Sequence, residues 1–133
     1  MALVLDASIA AAWCLPDEKA DLADAVQDRL IEDRAIAPRL FWYEIRNFLV
    51  RQERRKRILP LDTTKILADL QEMSIGFEEP ESAHVLTLAR TYGLTVCDAS
   101  YLSLAVSYRM PLATLDRALA AAARRAGVVL FAA

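Results

Sequence analysis

The sequence predicts one α/β domain with a mostly parallel sheet of five short strands. Strand-like and helix-like patterns alternate along all 133 residues, which is typical of folds in which helices connect parallel strands. No linker rich in serine or glycine, no repeat and no low-complexity segment divides the chain, so we expect residues 1–133 to form a single domain. A chain of this length can bury enough apolar surface to fold without disulfides.

The first half of the chain is predicted to contain two strands and three helices. In order, these are a strand at Leu3–Leu5, a helix over residues 8–15, a helix over residues 17–33, a strand at Ala35–Ala37 and a helix from residue 39 to about residue 57. Ser8 is a favourable residue for capping the first helix, and Pro16 would stop it. Pro38 suits the first turn of the third helix, because the N–H that proline lacks is not needed there.

The second half is predicted to contain three strands and four helices. They are helices over residues 62–73 and 81–92, a strand over 94–97, a helix to about residue 109, a strand over 112–115, a helix up to residue 127 and a last strand over 128–131. Gly93 and Gly127 are expected to end helices, because glycine readily adopts the left-handed conformation of a helix C-terminus. Pro111 would prevent the preceding helix from continuing.

Composition bounds the class of protein. The chain carries 16 Lys and Arg against 18 Asp and Glu, and the resulting charge of −2 neither indicates nor rules out a nucleic-acid partner. Cys14, Cys97 and His84 are too few to assemble a disulfide framework or a zinc site of the Cys/His kind within one chain. No apolar run approaches the ~20 residues that cross a bilayer, and no signal-peptide pattern opens the sequence. We therefore expect a soluble, cytoplasmic protein without membrane association.

Four acidic residues lie where a carboxylate is unexpected. Asp6, Asp98 and Asp116 each directly follow an apolar segment predicted to be a strand, and Glu44 lies inside an apolar helical segment. Ligands bind beyond the carboxyl ends of the strands in an open parallel sheet, so we expect the aspartates to meet there. Grouped carboxylates need a cation or a proton to be tolerated. Oxygen ligands suit Mg²⁺ or Mn²⁺, and such an ion can promote phosphodiester hydrolysis.

The aspartates also have a purely structural explanation. Aspartate is a favoured N-cap, and its negative charge is stabilised at the amino terminus of a helix. Asp98 or Asp116 alone could therefore serve only to begin a helix. This explanation is weaker for Asp6, because Ser8 is available as the cap.

Glu44 shares its predicted helix with a basic cluster. An ion pair with Arg46 is poorly placed two positions away, whereas Asn47, three positions after Glu44, lies on the same face of the helix. The basic run over residues 51–57 lies at the carboxyl end, where the helix dipole also favours cations. The alternative function of these cations is to contact the phosphates of a nucleic acid. The candidate RNA-binding residues are Arg46, Arg51, Arg54 and Arg55.

Together these residues resemble those of the PIN-domain ribonucleases, and in particular the VapC-type toxins of bacterial toxin–antitoxin (VapBC) pairs. The resemblance comprises residues 4–8 with Trp13, Pro16 and Glu18, then residues 44–47, 98–105 and 114–116. Each motif alone is a weak signal, and their order and separation carry the similarity over nearly the whole chain. One departure is Ala12, where many relatives have a lysine just before the tryptophan. The resemblance therefore implies no lysine contact to phosphate at that position.

The resemblance implies a three-layer α/β/α sandwich and an active site that contains Mg²⁺ or Mn²⁺, with RNA as the substrate. It also implies a homodimer and inhibition by a small antitoxin protein. By position, the family's acidic catalytic and metal-binding roles fall on Asp6, Glu44, Asp98 and Asp116. The residues that would support these acids or hold water are Ser8, Asn47 and Thr114.

Three other functions remain open at this point. The same acids would serve a flap-type or other DNA nuclease, or a nuclease that processes RNA without an antitoxin. A phosphoacceptor receiver module also has aspartates at strand ends, but it needs adjacent acids after the first strand and a lysine after the last. Ala7 and residues 128–133 do not supply them. A catalytically silent module could use the same acids only to hold ions.

Overall fold

The computed structural model describes residues 2–15 and 20–132, which form four strands and seven helices. In chain order these are β1 (Leu3–Leu5), α1 (Ala7–Cys14), α2 (Asp21–Glu32), β2 (Ala35–Ala37), α3 (Leu40–Arg54), α4 (Pro60–Gln71), β3 (Ile75–Phe77), α5 (Ser82–Tyr92), α6 (Val96–Tyr108), β4 (Leu112–Ala113) and α7 (Arg117–Arg125). The strands pair in parallel in the order β3-β2-β1-β4. The predicted α/β class and the parallel sheet are confirmed.

The helices cover both faces of the sheet. Parallel crossovers are right-handed, so the steps from β1 to β2 and from β2 to β3 place α1 to α4 on one face. The return from β3 to β4 places α5 and α6 on the other face. The packing agrees, because α1 contacts α2 and α3, whereas α6 contacts α5, α7 and β1. This is the three-layer α/β/α sandwich that the resemblance implied.

The register brings the C-terminal ends of the strands to one edge of the sheet. Leu5 pairs with Ala113, and Ala37 pairs with Phe77. Directly beyond this row, the Asp6 N–H donates a 3.0 Å hydrogen bond to the Ala113 carbonyl. Side chains that follow the strands are therefore brought close together in space, although they are far apart in sequence.

The predicted third strand over residues 94–97 is wrong. Thr95 is instead the N-cap of α6, and its hydroxyl accepts a 3.1 Å hydrogen bond from the Asp98 N–H. The third strand is Ile75–Phe77, a three-residue strand with Gly76 at its centre, which has no apolar alternation long enough to be recognised. Asp98 thus lies in the first turn of a helix and does not follow a strand.

The predicted fifth strand over residues 128–131 is also not formed. Within the described residues, that segment joins the sheet through one parallel bridge between Leu112 and Leu130. The fourth strand is limited to Leu112–Ala113, because the chain turns toward α7 after two residues. The sheet of the described chain therefore has four strands instead of five.

Glycine follows the ends of two helices as predicted, whereas the predicted cap of the first helix is wrong. Gly93 and Gly127 take the left-handed conformation with φ of 65° and 78°, as predicted for helix ends. Ser8 does not cap the first helix, because Asp6 occupies the N-cap position. The Asp6 side chain makes no capping hydrogen bond. The predicted stop at Pro16, the start of the second helix at residue 17 and the motif residue Glu18 lie outside the described residues.

Two further findings concern the expected environment of the protein. None of the helices in the described chain is long and apolar enough to cross a membrane. Cys14 is buried and Cys97 is exposed, and both are free thiols.

Candidate active site

Asp6 is a buried carboxylate at the centre of the sheet edge, with 5% of its surface exposed. Its Oδ2 accepts hydrogen bonds from the Ser8 hydroxyl at 2.6 Å and from the Thr114 hydroxyl at 2.8 Å. Strand β1 delivers Asp6, and the neighbouring strand β4 delivers Thr114, because the two strands pair in parallel. The orientation of the Asp6 carboxylate is thus fixed by two donors from different segments.

The same hydroxyls anchor the loop between β4 and α7. Ser8 Oγ accepts a 2.9 Å hydrogen bond from the Leu115 N–H, and Thr114 Oγ1 accepts one of 3.0 Å from the Asp116 N–H. Asp116 Oδ1 in turn accepts a 2.9 Å hydrogen bond from the Leu119 N–H and caps α7. The structural explanation, N-capping, therefore holds for Asp116 but not for Asp98, since Thr95 caps α6.

Glu44 reaches the site from α3 and is held by Tyr101. The Tyr101 hydroxyl donates a 2.6 Å hydrogen bond to Glu44 Oε1 and interacts with the backbone of Ala7. The Tyr101 side chain is fully buried, and burial together with Glu44 raises its pKa far above the ordinary value. From the sequence alone, Tyr101 received no separate role, and this contact was missed. Its spacing could have indicated a role at the site, because Tyr101 lies three positions after Asp98 and therefore on the same face of α6.

The four acids act on one another electrostatically. Burial raises the pKa of the Asp6, Glu44 and Asp98 carboxyls, and neighbouring carboxylates add to each shift. Asp116 acts on Asp6 and on Asp98, while Glu44 experiences both Asp6 and Asp98. Glu44 therefore lies on the same side of the molecule as the three aspartates. The four acids form one cluster of carboxylates at the C-terminal edge of the sheet.

The donor set fits a hard cation. The side chains supply only oxygen atoms, which Mg²⁺ and Mn²⁺ prefer, and a cation would relieve the repulsion between these buried carboxylates. Among the described residues, no three His, Cys, Asp or Glu side chains are arranged so that they could coordinate one metal ion together. Three protein ligands are not required for Mg²⁺, which keeps several waters and takes one or two carboxylates from the protein.

Comparison with known proteins agrees with this architecture. The PIN domain family model matches residues 3–125. The chain belongs to the PIN domain family. Ribonuclease VapC3 from Pyrobaculum aerophilum is 34% identical to this PIN domain over 124 residues, which cover 90% of this chain and 93% of that protein.

Two solved structures share the fold of this PIN domain. The crystal structure of PAE2754 from Pyrobaculum aerophilum has a TM-score of 0.66 and 28% identity, covering 92% of this chain and 87% of that one. FitAcB from Neisseria gonorrhoeae has a TM-score of 0.65 and 18% identity, covering 99% of this chain and 97% of that one. The second similarity concerns the fold alone.

The predicted basic residues of this PIN domain lie outside the acidic cluster. Arg46, Arg51, Arg54 and Arg55 are exposed along α3 and at its C-terminal end. Arg51 follows Glu44 by two helical turns, about 10 Å along the axis. Arg46 is closer, and its guanidinium lies 5.5 Å from the centre of the Tyr43 ring. Asn47 is exposed on α3.

Proposed function

We propose that this PIN domain is a metal-dependent endoribonuclease of the VapC type and the toxin of a toxin–antitoxin pair. The observation that supports the proposal is the arrangement of the acids at one edge of the sheet, where Thr114 bonds to Asp6 and to the Asp116 backbone, and Tyr101, one helical turn after Asp98, bonds to Glu44. Similarity to Ribonuclease VapC3 supports RNA as the substrate. Buried carboxylates that repel one another reduce stability, so their grouping supports a functional role.

The proposal assigns a role to each of the four acids. Asp6 and Asp98 hold the principal Mg²⁺ or Mn²⁺, and Asp116 completes its ligand set or supports a second ion. Glu44 helps to bind the ion or orients the attacking water. A bound ion of this kind lowers the pKa of a water and stabilises negative charge on the phosphate.

Neighbouring polar groups set the geometry of these acids. Ser8 and Thr114 donate to one oxygen of Asp6 and hold the carboxylate in one orientation. Tyr101 does the same for Glu44. Asn47 is exposed one helical turn after Glu44, where its amide can contact water or substrate. Such supporting contacts commonly change metal affinity or activity about 10–100-fold when removed.

The exposed arginines of α3 have a supporting role in the proposal. Arg46, Arg51, Arg54 and Arg55 would contact phosphates of the RNA and would contribute affinity that is independent of sequence and sensitive to salt.

The proposal includes protein partners and a compartment. Ile31, Leu59 and Leu61 are large apolar side chains that are mostly exposed, and such side chains suit contact with another protein. A small antitoxin and a second copy of this chain are the proposed partners. RNA as substrate, together with two free thiols, supports the cytoplasm as the compartment.

Purified protein tests the enzymatic part of the proposal. Wild type, Asp98→Asn and the control Asp28→Asn, an exposed acid on α2, are incubated with matched single strands of RNA and DNA. We expect cleavage of RNA by wild type and the control in Mg²⁺ or Mn²⁺, and none by Asp98→Asn or in excess EDTA. Undiminished RNA cleavage in EDTA would refute metal dependence, and preference for the DNA strand would refute the substrate.

Expression in a bacterial host tests the toxin assignment. Induction of wild type is expected to arrest growth, whereas Asp98→Asn is expected to be harmless. Co-expression of the short reading frame next to this gene should restore growth. Normal growth on induction of an active wild type would contradict the toxin role while leaving the nuclease intact.

A further inference from the structure

A groove of about 450 Å³ lies at the same edge of the sheet as the acidic cluster and is lined by none of the four acids. We name it the Trp42 groove, and its lining residues are Arg39, Trp42, Tyr43, Arg46 and Phe77. Four of the five come from the start of α3 at positions i, i+3, i+4 and i+7, which form one stripe of the helix. The fifth ends strand β3.

The aromatic rings of the Trp42 groove are held in fixed positions. Trp42 packs against Phe77 with ring centres 5.6 Å apart and planes inclined by 42°. Behind them, the fully buried Phe41 meets the Trp42 ring edge to face at 5.6 Å. Trp42 and Phe77 remain half-buried, and Tyr43 is 70% exposed. Aromatic surface of this kind can stack with a flat ligand without first being ordered.

Two guanidinium groups flank the rings. Arg39 and Arg46 are exposed and lie two turns apart, about 10 Å along α3. Neither forms an ion pair with any residue of the described chain. Arg46 also lies over the Tyr43 ring, which orients its guanidinium. The groove thus combines flat apolar surface with two available positive charges.

The groove and the acids occupy the same edge of the sheet. Phe77 belongs to the last row of the sheet, the row that Asp6 directly follows. Two strand spacings separate β3 from β1, about 10 Å in all. On α3, Glu44 lies about 150° around the helix from the centre of the stripe, so the groove and the acids flank the first turns of α3 on opposite sides. An RNA strand with its cleaved phosphate at the acids would cross the amino-terminal turn of α3 to place another nucleotide in the groove.

We infer that the Trp42 groove binds one base and an adjacent phosphate of a single-stranded RNA whose cleaved bond lies at the acids. The inference rests on the proposed nuclease function and adds to it a defined path for the substrate. Every base offers a flat face to Trp42 and Tyr43, and Arg39 and Arg46 offer charge to the phosphates. The groove would increase affinity on one side of the cleaved bond without selecting a particular base.

Tryptophan fluorescence tests this inference directly, because the chain has two tryptophans, Trp13 and Trp42. Trp13→Phe leaves Trp42 as the only tryptophan, and Trp42→Phe is the matched control that leaves Trp13. A single-stranded RNA decamer is titrated into each variant in EDTA, and a gel verifies that the RNA stays intact. We expect saturable quenching of Trp42 and none of Trp13. Unchanged Trp42 emission at RNA concentrations that saturate binding would overturn the inference.

Binding measurements on exposed residues avoid the risk of a folding defect. Tyr43→Ala and Arg46→Ala should each weaken RNA binding about tenfold, since a stacked base or a phosphate contact is lost. Arg46→Ala should also reduce the slope of log affinity against log salt by about one. Arg90→Ala, an exposed arginine on α5, is the matched control and should change neither quantity. Wild-type affinity in both Tyr43→Ala and Arg46→Ala would overturn the inference.

A loss of the Trp13 hydrogen bond must be separated from the RNA signal. Trp13 Nε1 donates to the Ala23 carbonyl at 2.8 Å, so Trp13→Phe is also tested by thermal melting. The wild type provides the second measurement, in which RNA should quench only the Trp42 part of the emission. Full wild-type emission in saturating RNA would count against the groove.

The inference and the proposed function fail in different ways. If Asp98→Asn abolishes cleavage but the groove variants bind RNA as tightly as the wild type, the proposed nuclease function stands and the groove is not an RNA site. If RNA quenches Trp42 but the wild type and Asp98→Asn cleave equally well, the groove is an RNA site and the proposed active site is wrong.

Discussion

The Tyr101 hydroxyl donates a 2.6 Å hydrogen bond to Glu44 Oε1, and it joins two helices from opposite faces of the sheet. Tyr101 is fully buried, whereas Glu44 is half-buried and lies at the border between the core and the acidic cluster. A phenol is a suitable donor here, because its raised pKa keeps the proton on the tyrosine oxygen. The contact holds Glu44 toward Asp6 and Asp98 despite their mutual repulsion.

Removal of this hydroxyl should reduce both stability and cleavage. Tyr101→Phe leaves the ring in the core but removes the donor to Glu44, so we expect a loss of about 1–2 kcal/mol in the free energy of unfolding. RNA cleavage should fall about 10-fold or more, because Glu44 loses its fixed orientation. Tyr108→Phe removes an exposed hydroxyl of the same helix that interacts with Glu78, and it should leave cleavage nearly unchanged.

A double variant separates orientation from general damage. If Tyr101 acts through Glu44, then Tyr101→Phe should have little further effect on cleavage in a Glu44→Gln background. Equal proportional losses in both backgrounds would show that the tyrosine acts by another route.

Thr114 is expected to contribute more to stability than its size suggests. Thr114→Val keeps the shape but removes the donor to Asp6 and the acceptor for the Asp116 N–H. Because Thr114 is buried, we expect urea unfolding to show a loss of about 1–3 kcal/mol. Thr87→Val on the exposed face of α5 is the matched control, with an expected change below about 0.5 kcal/mol. Equal effects at the two positions would contradict the anchoring role.

Neutralisation of one acid should stabilise the protein when no divalent ion is present. Asp98→Asn removes a carboxylate whose pKa is raised by burial and by Asp116 and Asp6. Since Asp98 is partly exposed, solvent screening limits the gain to about 0.5–1 kcal/mol, or roughly 1–4 °C in melting temperature. Mg²⁺ should raise the melting temperature of the wild type more than that of Asp98→Asn. A lower melting temperature of Asp98→Asn in EDTA would contradict the repulsion.

Burial, together with this repulsion, gives the pH dependence a definite sign. Asp6, Glu44 and Asp98 have folded-state pKa values above their ordinary ones, so the folded state retains protons that the unfolded state has lost. Their contribution to stability therefore falls as pH rises from the ordinary carboxyl range through the raised values. In EDTA, the stability advantage of Asp98→Asn over wild type should shrink between about pH 7.5 and pH 4, as measured by urea unfolding. An advantage that grows on acidification would refute the assigned direction.

Glycine at position 56, just after the end of α3, should increase the stability of the protein. Lys56 has a left-handed φ of 58°, and its N–H donates to the Glu53 carbonyl while the Arg57 N–H donates to the Gln52 carbonyl. Glycine adopts this conformation without a Cβ penalty, so Lys56→Gly should stabilise the protein by about 0.5–1 kcal/mol. Arg55→Gly, one residue earlier with φ of −83°, is the control and should not stabilise. Thermal melting of the two variants compares these outcomes.

The sequence by itself determined the fold class and the four acids. Its alternation of apolar segments and amphipathic helices predicted the parallel sheet, because burial patterns repeat with the local period of each element. Glycine and proline positions predicted several helix ends, such as Gly93 and Gly127, for equally local reasons. Asp6 and Glu44 were recognised because a carboxylate inside an apolar segment is costly unless it has a partner.

Only the tertiary structure decided which segments pair and which side chains meet. Ile75–Phe77 became a strand and residues 94–97 did not, because a strand of three residues depends on neighbours for its hydrogen bonds. The contact between Tyr101 and Glu44 joins residues 57 positions apart, and that of Thr114 with Asp6 spans 108 positions. Such contacts are set by how helices and strands pack in three dimensions. Local sequence patterns do not specify that packing.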